Sequence, residues 1–146
     1  MPTTITSAGI TFNDATSLTS ANIGTAQLVN GSVTAAKLGT TEQKQIAKAW
    51  VNFNGTLATP ITPRASFNVS SVTKNGTGDY TVNFPIGTFA DTNYSVVGGS
   101  GDGASFSFIT PNAGTKTTTS TKIYSTASSA ISLADATIIC IAAFGN

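Results

Sequence analysis

From Ala49 onward, apolar and polar residues alternate with a period of two. Val51 and Phe53 alternate with Asn52 and Asn54, Phe67 and Val69 with Asn68 and Ser70, and Tyr80, Val82 and Phe84 with Thr81 and Asn83. That period sends every second side chain to one face, the pattern of a half-buried strand. Between the second and third runs, Lys74-Asn75-Gly76-Thr77-Gly78-Asp79 holds Asn-Gly and Gly-Asp steps, which supply the positive φ angles of a hairpin turn. Further strands are expected at 93–98, 104–109, 116–125 and 136–144, separated by the glycine run Gly98–Gly103 and by Pro111–Gly114. Roughly seven strands at this spacing predict a mainly β chain with an antiparallel β-sandwich head over 49–146. The run Ile138–Phe144 is apolar at successive positions. It reads as a strand buried on both faces, central in a sheet or covered at a subunit interface.

Upstream the pattern changes. Thr40–Lys48 predicts a helix of about two turns, with Thr40 as N-cap and Gln43 completing a capping box. So short a helix is marginal alone and is expected to pack Ile46 and Trp50 against something. Residues 20–29 and 30–39 align at a period of ten, with Ile23 over Val33 and Leu28 over Leu38. Two loop-like decapeptides that match by coincidence are one reading. The other is a stalk in which several copies of the chain intertwine, each giving Ile23, Leu28, Val33 and Leu38 to a common axis, because one repeat has too few apolar groups for a core. The expected organisation is an N-terminal part, 1–48, and the head, 49–146. The first comprises a leading segment 1–19, the repeat stalk and a helical neck.

Composition narrows the chemistry. Of 146 residues, 26 are Thr, 16 Ser, 14 Gly and 11 Asn, which suits strands and turns over helix interiors. Charged residues are 9% and the net charge is +1, so the chain offers no field for nucleic acid or anionic lipid. With no histidine and the single Cys140, the usual general base, triad imidazole and thiolate cage are missing. No catalytic residue, metal or cofactor is expected. Asp79, Asp91, Asp102 and Asp135 are the head's carboxylates, and most of them read as solvated turn residues. The start Met1-Pro2-Thr3-Thr4 lacks a basic segment followed by an apolar run, and the longest apolar stretch, Ile138–Phe144, falls far short of the roughly 20 residues of a membrane helix. Synthesis in a cytoplasm without membrane insertion is the expectation. What remains is surface recognition: Asp102, Phe106, Asn112, Lys116 and Tyr124, in or near polar loops, could bond sugar hydroxyls and stack on a sugar face of a glycan.

The phrase Asn30-Gly31-Ser32-Val33-Thr34-Ala35-Ala36-Lys37-Leu38 resembles short repeats of tail fibres and other virion structural proteins of tailed bacteriophages. The blocks Lys48–Gly55, Arg64–Ser71 and Asn75–Phe84 are similar to a head module at the C-terminus of phage fibres. The resemblance covers roughly residues 20–97 and implies a homotrimeric fibre in the virion tail. Its N-terminal part, with 1–19 as an attachment segment, would join other tail or baseplate proteins, and its head would face the host. A receptor-binding fibre and a small decorating fibre both fit. A bacterial carbohydrate-binding module or adhesin subunit is the alternative from a different class.

Overall fold

The computed structural model describes residues 4–6, 9–11, 17–18, 31, 33–101, 106–112, 115–126 and 132–145. The chain divides into two compact units, Met1–Gly39 and Thr40–Asn146, so the short helix belongs with the second. In the first unit β1 (Thr4–Thr6), β2 (Gly9–Thr11) and β3 (Ser17–Leu18) form an antiparallel meander that pairs Ile5 with Ile10 and Ile10 with Leu18. Among the described residues of the repeat segment, Ala35–Lys37 form a 3-10 turn.

The second unit opens with α1 (Thr40–Gln45), shorter than the helix expected to reach Lys48. Ile46 is 52% exposed and Trp50 already belongs to a strand, so neither anchors the helix as its length had suggested. Eight strands follow: β4 (Ala49–Phe53), β5 (Ala65–Phe67), β6 (Ser71–Gly76), β7 (Asp79–Asn83), β8 (Ser95–Gly101), β9 (Phe106–Asn112), β10 (Ser120–Thr126) and β11 (Ile138–Phe144). They hydrogen-bond in the order β5-β4-β11-β8-β9-β10-β7-β6, antiparallel at each pairing.

In a flat sheet β4 and β7, five positions apart in that order, would lie about 24 Å apart at the usual strand spacing. Instead the rings of Phe53 and Tyr80 meet edge to face at 5.3 Å. The sheet therefore folds over into a two-layer antiparallel sandwich, with β5-β4-β11-β8 facing β6-β7-β10. The fold runs along β9, which pairs with β8 through Phe106–Phe108 and with β10 through Phe108–Asn112. Ser100 on β8 and Ser125 on β10 consequently hydrogen-bond at 3.1 Å across the crease. The outer edge of β6 is covered by the β4–β5 connection, where the Ile61 N–H donates to the Val72 carbonyl and the Lys74 N–H to Thr59 Oγ1.

The core lies between the layers: Val51, Phe53, Val72, Tyr80, Val82, Ile123, Ile139 and Ile141 are all buried. At one end Phe84, Phe89 and Tyr94 form a ring cluster, with Phe89 stacked on Tyr94 at 4.0 Å. The expected hairpin is β6–β7, turning at Thr77-Gly78 with Gly78 at φ +63°.

Three expectations change. Phe67, taken as inward-facing, is 50% exposed: β5 lies at the sheet's edge, and Asn68 at φ +52° ends it. The glycine run taken as a loop is partly strand, since Gly98, Gly99 and Gly101 lie in β8. A Cβ at Gly98 would run into the Cys140 carbonyl, so the glycine lets β11 approach closely. Pro111, taken as a separator, lies inside β9, opposite Ile123 of β10 and beyond the residues that pair with β8.

Candidate functional site

The sandwich has two outer faces of opposite character. On the first layer the residues that alternate with the core point outward, and cross-strand register lines them up. Phe67 opposes Trp50, Trp50 opposes Ala142, and Ala142 opposes Val97, one row across β5, β4, β11 and β8. Ala65, Asn52, Cys140 and Gly99 form the next row. Trp50 is 40% exposed, Val97 54% and Ile138 45%. Strand β11 is thus central, as its apolar run predicted, but only Ile139, Ile141 and Ala143 are buried. Its other face, Ile138, Cys140, Ala142 and Phe144, lies half-buried or open within this chain.

The Arg64 guanidinium borders that face. Arg64 donates from its guanidinium to Asn52 Oδ1 at 3.2 Å and to the Thr137 carbonyl at 2.7 Å, and Asn52 Nδ2 donates to Cys140 Sγ at 3.1 Å. At the helix end, Lys44, Asp91, Asn93, Ser95, Phe144 and Gly145 line a shallow, open depression of about 300 Å³.

The outer face of the second layer is polar. Lys122 Nζ lies 2.9 Å from Asp79 Oδ2 and 5.4 Å from the centre of the Tyr124 ring. The Asp79 carboxylate beside it holds the Lys122 ammonium above the usual lysine value. Asn75 Nδ2 donates to Asp79 Oδ1 and Thr81 Oγ1, both at 3.0 Å, and Asn83 Nδ2 to Ser71 Oγ at 2.9 Å. Such a surface presents amide, hydroxyl and carboxylate groups bonded to one another.

The residues expected to contact a receptor separate here. Tyr124 lies on the polar face. The Lys116 ammonium donates to the Tyr94 carbonyl at 2.6 Å and sits 4.7 Å over the Tyr94 ring, bracing the β9–β10 connection. Asn112 is placed by the backbone opposite Lys122, and Phe106 opposite Gly101. The side chains of both, and all of Asp102, lie outside the described residues. Of the stalk residues, Val33 is 56% exposed and Leu38 half-buried, while Ile23 and Leu28 lie outside the described residues.

A further cluster escaped the sequence. Asp135, to which the sequence assigned no role of its own, accepts from the Gly78 N–H at 2.8 Å, the Tyr80 hydroxyl at 2.7 Å and the Lys74 ammonium at 2.6 Å. Burial alone would push its carboxyl up, but these three donors together hold it below the ordinary carboxylate value. Burial, with the Asp135 hydrogen bond, pushes the Tyr80 hydroxyl far above the ordinary tyrosine value. Both groups are locked in one protonation state at neutral pH, which suits a clamp and not proton transfer.

Among the described residues no three His, Cys, Asp or Glu side chains cluster as a metal site, and no helix is long and apolar enough to cross a membrane. No protein-family model, curated protein or solved structure matches the chain.

Proposed function

We propose that this chain is a structural subunit of a phage tail, a homotrimeric fibre. Its N-terminal part attaches to tail or baseplate proteins and its β-sandwich head is presented to the host surface. The observation that carries the reading is the contrast between the two outer faces of the sandwich. One presents Trp50, Phe67, Val97 and Ile138, and a chain with 9% charged residues has little else to keep such a face soluble. The other is a network of Asp79, Lys122, Asn75 and Tyr124 that can meet water or a host glycan. One face to be covered and one to be shown is the anatomy of an oligomer subunit that recognises through its exposed side. The resemblance of the 20–97 region to fibre stalks and heads supplies the number three and the virion setting.

The reading is non-enzymatic. Among the described carboxylates of the strands and their connections, Asp79 and Asp135 are each paired with a lysine, and Asp91 accepts from the Asn93 N–H within its own turn.

Sedimentation equilibrium tests the proposal: a mass near three times 14.7 kDa that persists on dilution is expected, and a monomer overturns it. Antibody against the head should also decorate the tails of the phage particles by electron microscopy.

A further inference from the structure

We propose that the heads of different copies meet through the outer face of β5-β4-β11-β8, which each turns toward the copies' common axis with Trp50 at the contact. The proposal takes its copy number from the fibre reading, but the face is argued from the head alone.

The face is four strands wide, and the depression of about 300 Å³ lies at its Phe144 end, away from the rows through Trp50 and Asn52. A sheet face is covered by another extended surface, as when sheets stack about 10 Å apart.

Charge then selects the partner. The rows Phe67–Trp50–Ala142–Val97 and Ala65–Asn52–Cys140–Gly99 contain no charged residue, and the Arg64 guanidinium beside them is tied to Asn52 and the Thr137 carbonyl. The rows themselves hold no charge for a polyanion or an acidic peptide. The face is complementary to an uncharged apolar surface, and a second copy supplies one.

Area agrees. Trp50 and Phe67 at 40% and 50% exposure, with Val97 and Ile138 at 54% and 45%, leave roughly 350 Å² of apolar surface. A stable interface takes about 800 Å² from each partner, somewhat over half of it apolar, so the patch supplies most of the nonpolar core such a contact needs. Interface cores are also where tryptophan and phenylalanine concentrate.

Trp50 is the chain's one tryptophan, so its fluorescence reports on this face alone. In the full-length trimer we expect a blue-shifted emission and acrylamide quenching several-fold weaker than in Val97→Lys. That substitution falls at an exposed position and leaves the core intact. Phe67→Lys, at an equally exposed position, should uncover Trp50 in the same way, and far-UV circular dichroism checks that both variants fold. Trp50 quenched as readily in the wild-type trimer as in Val97→Lys would overturn the interface and leave the trimeric fibre standing. A monomer would overturn both, including one whose Trp50 is shielded by residues 1–39 of its own chain.

Discussion

The Tyr80 hydroxyl and Asp135 Oδ1, 55 residues apart in the chain, meet at 2.7 Å where three connections converge. The Tyr80 oxygen is also 3.1 Å from the Gly55 carbonyl, and the Gly55 N–H donates to the Ala136 carbonyl. Lys74 closes the cluster by donating to both Asp135 Oδ2 and the Gly55 carbonyl. One carboxylate thus ties the β6–β7 turn, the β4–β5 connection and the approach to β11. The layers of the sandwich are joined at this end by charge-assisted bonds as well as by packing.

That arrangement predicts an acid limb in stability. Asp135 has its folded-state pKa depressed, so its contribution is fully present above the unfolded value near 3.9 and is lost as pH falls through the lower folded value. The melting temperature should vary little with this group from about pH 8 to about 5 and fall below about pH 4. Asp135→Asn should cost roughly 1–3 kcal/mol at pH 7, with the gap to wild type narrowing in acid. A gap that stays constant down to pH 2 would show that the carboxylate's charge is not what holds the cluster.

Gly78 is the second test of this corner. Its φ of +63° is costly for any residue with a Cβ, and a Cβ there would sit 2.5 Å from both Ala134 N and Ser125 O. Gly78→Ala should therefore destabilise by more than about 2 kcal/mol. Gly76, two residues earlier in the same hairpin, has open space at its Cβ position, so Gly76→Ala should shift the melting temperature little. Equal effects from the two substitutions would contradict the turn geometry.

The hairpin was legible in sequence because two independent signals agreed: alternation in Tyr80-Thr81-Val82-Asn83 and turn residues at Asn75–Asp79. The Asp135 clamp was not, because Lys74 and Asp135 are 61 residues apart and nothing local marks either as paired. Strand β10 was only half readable. Its inward residues are Thr121, Ile123 and Ser125, so periodicity in hydrophobicity cannot tell its buried face from its open one. The glycines of β8 read as a loop since their purpose, room for β11, exists only once the two strands are side by side. The unlike outer faces follow from register: Trp50, Ala142 and Val97 become neighbours only when β4, β11 and β8 pair.

Lys116 distinguishes a structural role from a recognition role. Its bond to the Tyr94 carbonyl and its place over the Tyr94 ring brace a tyrosine whose hydroxyl lies 2.8 Å from the carbonyls of both Thr117 and Ser120. Lys116→Ala should lower stability by about 1–2 kcal/mol and leave binding of fluorescently labelled protein to host cells unchanged. Tyr124→Ala on the polar face should do the reverse, weakening cell binding with little effect on melting. Lost binding in Lys116→Ala at full stability would return Lys116 to the receptor surface.

Strand β11 carries the heaviest prediction. It pairs with β4 from Ile139 to Ala143 and with β8 from Ile138 to Phe144, and no other strand bonds to both. Ending the chain after Asp135 removes Ile139, Ile141 and Ala143 from the core, and with Ala136 it removes the carbonyl that accepts from Gly55. Two buried isoleucines alone are worth about 2–5 kcal/mol each, comparable in sum with the whole stability of a domain this size. The loss is also topological, because β4 and β8 would each be left with an unpaired apolar edge that water can solvate but that a neighbouring chain will pair with first. The truncated protein should show no cooperative thermal unfolding and should sediment as aggregate. A soluble protein ending at Asp135, with the near-ultraviolet dichroism of packed aromatic rings, would mean that β4 and β8 can close on each other without β11.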